Sequence, residues 1–292
     1  MIISTALLPV AAVSGWFAAK RSLVKSEIKS AARELRSDYF RGINYLLNEQ
    51  PDEAIEVFIR VLEVDSETVE THLALGNLYR RRGEVDRAIR IHQNLIARTT
   101  LSPDERSEAL LELGQDYMSA GLLDRAESLY KELIEIQAYT TQALRQVIDI
   151  YEQEKDWDKA LSSVESLERV TGEWCGQLMA HYYCEKASLA HAKGDIKGAL
   201  DHIRAALRAD VNCVRASLLE GDVRLHIGDA KSALSAYKRV ENQDPAYLGE
   251  IVERVGQCLN NEQECAEYAD YLSIIIDRFN VGNESLTLIN AI

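Results

Sequence analysis

After residue 35, apolar residues recur every three or four positions. Short polar turns separate these stretches from one another. Alternating runs of Val, Ile and Thr, which are typical of strands, are few. The spacing predicts amphipathic α-helices. Gly83, Gly121 and Gly194 lie in turns where helix C-caps are expected. The sequence therefore predicts antiparallel helical hairpins and an all-α fold class.

A column of mostly small residues repeats along this segment. Its members are residues 42, 76, 114, 148, 187 and 221, spaced by 34, 38, 34, 39 and 34. An alanine follows each member after twelve residues, and four residues later comes a ring or a branched side chain: Phe58, His92, Tyr130, Val164, Ile203 and Tyr237. The spacing of 34 is the tetratricopeptide period. The two longer spacings predict loop insertions, such as residues 101–104.

These repeats predict a tetratricopeptide superhelical solenoid. The small residue and the alanine let two antiparallel helices approach closely, and the larger side chain fills the space beside them. One hairpin cannot bury its apolar face alone, so neighbouring hairpins stack. We predict a repeat domain over residues 35–282, with six regular repeats to residue 247 and a degenerate seventh. Residues 283–292 are predicted to open a further, truncated repeat.

The N-terminal segment is different in character. Residues 2–19 carry no charge, and as a helix they would reach about 27 Å, close to the roughly 30 Å of a bilayer's hydrocarbon core. Lys20, Arg21 and Lys25 follow directly. We predict a transmembrane anchor over residues 1–22, a basic juxtamembrane linker helix over 23–34, and the remainder in the cytoplasm. The alternative is a cleaved signal peptide, which carries its positive charge before the apolar run.

Composition narrows the function. The chain has 33 Lys and Arg against 47 Asp and Glu, a net charge of −14, which argues against binding nucleic acid. Its five cysteines are odd in number and irregularly spaced, so free thiols in a reducing compartment are expected. No phosphate-binding glycine loop, dinucleotide motif or His-Glu-x-x-His motif is present. The sequence therefore predicts a protein that is not an enzyme and has no cofactor.

The predicted partner-binding site is the concave face of the superhelix. The first helix of each repeat would line that face, and its mixture of amide, charged, Leu and Met side chains suits a peptide or a helix more than a small molecule. The candidate residues are Leu73, Asn77, Arg80, Leu111, Gln115, Met118, Arg145, Asp149, His181 and His191.

One basic patch interrupts the acidic body of the chain. Beside Arg80 it comprises Arg81, Arg82, Arg87 and Arg90. It is interpreted either as a surface for an acidic partner segment or as a solvated face whose arginines pair with Glu84 and Asp86.

One histidine and one group of two histidines and a cysteine are candidates for a chemical role. His92 occupies a column that rings and branched side chains fill elsewhere, which predicts a partly buried, hydrogen-bonded core histidine. His181, Cys184 and His191 share one helical stripe. His181 and His191 would lie about 15 Å apart along the helix, too far to share an ion, so no metal site is predicted.

Four segments carry a resemblance to a known family. They are LLPVAAVSGWFAAKRS (7–22), ALGNLYRRRGEVDRAIRIHQ (74–93), GQDYMSAGLLDRAESLY (114–130) and HYYCEKA (181–187). In collinear order over essentially the whole chain, the sequence resembles the lipopolysaccharide assembly protein B family. The resemblance implies a single-pass protein of the inner membrane, with its repeats on the cytoplasmic side. The sequence differs from the family in one respect. The family ends in a rubredoxin-like metal module with two Cys-x-x-Cys pairs, and Cys258 and Cys265 do not match these pairs.

The resemblance also implies partners. These are a membrane AAA+ protease, the deacetylase of the lipid A pathway and other lipopolysaccharide assembly proteins. A second copy of the chain is kept as a further candidate partner. The first functional hypothesis is an adaptor that presents the deacetylase to the protease. The second is a structural scaffold that holds envelope-biosynthesis enzymes together without a role in proteolysis. An enzyme is disfavoured by the missing motifs.

Overall fold

The computed structural model describes residues 37–48, 50–64 and 68–259. The predicted anchor, the linker helix, the end of the seventh repeat and the tail over 283–292 lie outside the described residues. Among the helices that are described, none is long and apolar enough to cross a membrane.

Every regular element in this part of the chain is helical, as the hydrophobic spacing predicted. The helices are α1 (37–47), α2 (Pro51–Val64), α3 (Val69–Arg81), α4 (Val85–Ile96), α5 (Pro103–Ser119), α6 (Leu123–Glu135), α7 (Thr140–Glu154), α8 (Trp157–Thr171), α9 (Gly176–Ala192), α10 (Ile196–Ala209), α11 (Val214–His226), α12 (Ala230–Gln243) and α13 (Leu248–Gly256). A 3₁₀ turn over Pro245–Tyr247 precedes α13. The all-α prediction is confirmed.

The chain divides into two compact units, Met1–Ala143 and Leu144–Ile292, with the boundary inside α7. In the first unit, α2 to α6 pack in chain order and α3 also contacts α5. In the second, α8 to α13 pack in chain order and α9 also contacts α11. Each unit therefore stacks helical hairpins through the first helices of consecutive repeats, which is the arrangement of tetratricopeptide proteins.

The predicted repeat frame describes the core of both units. The six column alanines, Ala54, Ala88, Ala126, Ala160, Ala199 and Ala233, are fully buried. A ring lies directly over each column glycine: a Cβ added at Gly114 would lie 2.7 Å from Tyr130, and one at Gly221 would lie 2.1 Å from Tyr237. Where the column holds Ile148 or Ala187 instead, the branched residues Val164 and Ile203 fill the corresponding position and are fully buried. Ring and glycine thus complement each other in volume.

The predicted loop insertions are mostly helix instead. Helices α5 and α9 have 17 residues, whereas α3 and α11 have 13. An insertion of four or five residues is about one helical turn, so it lengthens the N-terminal end of the helix and leaves the core in register. In α5 the added turn begins at Pro103. A capping box between Ser102 and Glu105 supplies hydrogen-bond acceptors to backbone N–H groups at this helix start.

Candidate partner-binding site

An ion-pair network joins α3 to α5 in the first unit. The Arg80 guanidinium donates to Glu112 Oε2 at 2.7 Å, to Asp116 Oδ1 at 2.7 Å and to Gln115 Oε1 at 2.9 Å. Burial would lower the pKa of Arg80, but the hydrogen bonds to Glu112 and Asp116 outweigh burial and raise it. Arg80 is therefore occupied within the fold and is not a free donor for a partner's carboxylate.

Asp116 links this network to the core. Its carboxylate is fully buried, and Oδ2 accepts a hydrogen bond from His92 Nδ1 at 2.5 Å. The His92 ring is also fully buried. Its Nε2 has no hydrogen-bond partner and lies against Gly76, where a Cβ would approach within 2.3 Å. His92 is a hydrogen-bonded core histidine, as predicted, and it is more deeply buried than expected.

The other candidate residues of the first unit differ in exposure. Leu73 and Leu111 are 6% and 7% exposed, so they belong to the core and offer a partner almost no surface. Asn77, Gln115 and Met118 are half-buried. Their role in partner binding stays a prediction.

In the second unit, the candidate residues lie on α7 and α9. Arg145 is exposed and pairs with Glu173 at 3.1 Å. Asp149 is also exposed; partial desolvation and the Glu152 charge raise its pKa. On α9, His181 Nδ1 lies 3.2 Å from Arg215 Nη1, and the His191 ring meets the His226 ring edge-on at 5.1 Å. The histidines of α9 therefore face α11, the first helix of the next repeat.

The basic patch has two parts. Arg82 pairs with Asp52 and Glu84, and Arg87 pairs with Glu84 and lies over the Tyr79 ring. Pairing with Glu84 was predicted, while Asp52 takes the place predicted for Asp86. The other two arginines, Arg81 and Arg90, are exposed and make no ion pair with any described residue.

A cavity of about 280 Å³ lies beside the patch, where the α1–α2 turn meets the end of α3. Leu46, Pro51 and Leu78 form its apolar wall, and Arg81 and Arg82 form its rim. Such a cavity can accept an apolar side chain while Arg81 attracts a carboxylate beside it. We call these five residues the arginine-rimmed cavity.

A second cleft, of about 520 Å³, lies between two hairpin turns of the second unit, and sequence reasoning did not find it. Its lining includes Trp157, Asp158, Lys186, Leu189, Lys193 and His202. Trp157 stacks on Tyr182, whose hydroxyl donates to Glu152. Lys186 pairs with Asp158. Burial and the charge of Lys186 lower the pKa of His202. Tryptophan at the start of a second helix is the only sequence signal for this cleft.

Within the described ranges, no group of three or more His, Cys, Asp or Glu side chains is placed to hold an ion. Cys184 faces Cys213, which lies directly before α11.

Comparison with known proteins gives consistent matches. The tetratricopeptide repeat family model matches residues 71–107, and a second model of the same description matches 184–247. The chain is 37% identical to lipopolysaccharide assembly protein B of Escherichia coli K12, over 98% of this chain and 73% of that protein. It is 34% identical to the Haemophilus influenzae protein of the same name, over 86% of this chain and 65% of that protein. A crystal structure of a tetratricopeptide repeat protein from Parabacteroides merdae aligns with a TM-score of 0.45 and 14% identity, covering 78% of this chain and all of that one.

Proposed function

The chain belongs to the lipopolysaccharide assembly protein B family, and from this premise we propose that it is a protein-binding adaptor in lipopolysaccharide biosynthesis. In this proposal residues 1–22 anchor it in the inner membrane, and the repeats on the cytoplasmic side bind the deacetylase of the lipid A pathway. The adaptor presents that client to a membrane AAA+ protease. Its own residues carry out no chemistry on the client.

The observation that carries the binding role is the arginine-rimmed cavity. The protein has a net charge of −14, yet this apolar cavity has the guanidinium groups of Arg81 and Arg82 on its rim. Arg82 is paired with Asp52 and Glu84, so Arg81 is the group that attracts a partner's carboxylate. An acidic client segment with an apolar anchor residue would complement both the charge of Arg81 and the apolar wall of this cavity. Arg81 supports the role further, since it is exposed and makes no ion pair with any described residue.

Arg81→Glu is expected to weaken client binding at least about tenfold, because charge reversal replaces attraction by repulsion at the cavity rim. Calorimetric titration of the purified deacetylase into the full-length protein measures this effect. Arg169→Glu is the matched control, since Arg169 is exposed on α8 in the other unit and carries the same charge change. Equal affinity of the Arg81→Glu variant and the parent would place the client elsewhere.

Deletion of residues 1–22 tests the tether. The repeats bury their own core, so the shortened protein is expected to stay folded and to bind the deacetylase with unchanged affinity. It is expected to leave the deacetylase as long-lived as in cells without the protein, because the effective concentration beside a membrane protease is lost. The measurement is the half-life of the deacetylase after synthesis is stopped. Normal turnover with the shortened protein at native expression would contradict the tether.

The alternative function is an assembly scaffold without a role in proteolysis. The name of the relatives, lipopolysaccharide assembly protein B, favours it. The same half-life measurement separates the two functions. A scaffold predicts an unchanged deacetylase half-life in cells that lack the protein altogether, whereas an adaptor predicts a longer one.

A further inference from the structure

Two cysteine thiols face each other in the second unit, where α9 packs against α11. Cys184 lies in the middle of α9, and Cys213 is the N-cap residue of α11. Their Sγ atoms are 3.9 Å apart, which is contact between unbonded sulfurs, because a disulfide holds them at about 2.05 Å. The other described cysteines are placed differently: Cys175 and Cys258 donate to the backbone carbonyls of Glu173 and Arg254.

The two thiols differ in access. Cys184 is fully buried in the core cluster that includes Ala187 and Ala216. Cys213 is half-buried at the end of the α10–α11 loop, next to the exposed residues Val211 and Asn212. A dissolved reagent therefore meets Cys213 first and reaches Cys184 only through it.

The surroundings also give the two thiols different pKa values. The hydrogen bond from the Cys184 thiol lowers the pKa of Cys213, and the backbone N–H of Ala216 and the charge of Arg215 act in the same direction, against burial and Asp210. The same contact and burial raise the pKa of Cys184. Arg215 is itself held by Glu185 Oε1 at 2.7 Å and by His181. Cys213 is therefore the thiol of the pair that more readily forms the thiolate, the form that attacks disulfides.

We propose that Cys213 and Cys184 form a thiol–disulfide exchange site that accepts a low-molecular-weight disulfide such as oxidised glutathione. The Cys213 thiolate attacks one sulfur of that disulfide, forms a mixed disulfide and releases one glutathione thiolate. Cys184 then loses its proton to water and attacks the Cys213 sulfur, which releases the second glutathione thiolate. The two protein thiols are oxidised to one disulfide, and the oxidised glutathione is reduced to two thiols.

The product would join two consecutive repeats. The bond links the middle of α9 to the start of α11, across 29 residues of chain. It would restrict movement between two helices whose facing side chains include His181 and Arg215. A cross-link of this kind restricts the unfolded chain, so the oxidised protein is expected to melt at a higher temperature than the reduced protein.

Peptide mapping of the full chain tests the exchange directly. The reduced protein is incubated with oxidised glutathione, alkylated and digested with trypsin. The expected product is peptide 209–215, which contains Cys213, linked to peptide 170–186, and dithiothreitol should release it. Peptide 170–186 contains both Cys175 and Cys184, so Cys175→Ser is the matched control and must still form the link. In the Cys184→Ser variant the reaction should stop at the mixed disulfide between Cys213 and glutathione.

Three results would overturn the proposal. The first is a link that disappears in Cys175→Ser, because Cys175 would then be the partner. The second is a mixed disulfide on Cys213 that persists in the parent protein, because Cys184 would then be unable to reach it. The third concerns alkylation rates of the parent protein against pH. Cys213 is expected to titrate below the ordinary thiol value of about 8.5, and a midpoint at or above that value contradicts the thiolate assignment.

Discussion

Asp116→Leu is expected to lower the free energy of unfolding by about 3–5 kcal/mol, because it removes one partner of a buried ion pair and leaves the others uncompensated. Arg80 would lose one of its two carboxylates, and the His92 ring would lose its hydrogen bond to Asp116. Urea denaturation followed by circular dichroism measures the loss. Asp201→Leu is the control, since Asp201 is exposed on α10 and its ion pair is with Arg204, which is also exposed. It should change stability by less than about 1 kcal/mol.

A second substitution separates the network from packing. Equivalent positions in other repeats hold Asn44, Leu78, Ile150, Leu189 and Val223, so a leucine at 116 introduces a residue that two other repeats have there. Adding His92→Phe restores a ring of the kind seen at Phe58. We expect the double variant to lose less free energy of unfolding than the two single variants lose together, by about 0.5–3 kcal/mol. Strict additivity would mean that His92 and Asp116 do not depend on each other.

Gly221→Ala is expected to lower the free energy of unfolding by about 1–3 kcal/mol through overpacking. The new Cβ would lie 2.1 Å from the Tyr237 ring, and that ring is fully buried. Its hydroxyl is held by Asp222 Oδ1 at 2.7 Å, so the ring has no free direction in which to move. Thermal and urea denaturation of the variant measure the effect.

Gly256→Ala is the matched control for this substitution. Gly256 ends α13 in the same unit, and a Cβ there meets nothing within 4 Å. Because alanine is the better helix former, this variant is expected to be neutral or stabilising by up to about 1 kcal/mol. Equal destabilisation of the two variants would show that the cost arises from the helix backbone, and the repeat frame of Gly221 and Tyr237 would then be wrong.

Much of the fold follows from the sequence because the repeat is periodic and local. The glycines at 42, 76, 114 and 221 predicted close approach, and the structure places a ring against each of them. The longer spacings were misassigned to loops, because a helix can absorb four or five residues as one added turn without disturbing the pattern of apolar positions. The repeat spacing gives the number of extra residues, but it does not show whether a helix or a loop contains them.

The candidate site was less accessible to sequence reasoning. Arg80 was predicted to face a partner, but its guanidinium is held by Glu112 and Asp116 on the next repeat. Asp116 itself was missed, although an acidic residue in a mostly apolar column is a visible signal. Leu73 and Leu111 were assigned to the groove because the frame gives a side chain's direction, whereas the neighbouring helix determines its exposure.

The sequence by itself determined the all-α class, the 34-residue frame, the buried alanines and the pairing of glycine with rings. These features follow from positions within one hairpin, where spacing along the helix dictates which side chains meet. The tertiary structure alone decided which polar groups meet between hairpins. Arg80 and Asp116 are 36 residues apart, and Cys184 and Cys213 are 29 apart. The rotation and separation of stacked helices set those contacts, and they depend on all the side chains packed between the helices.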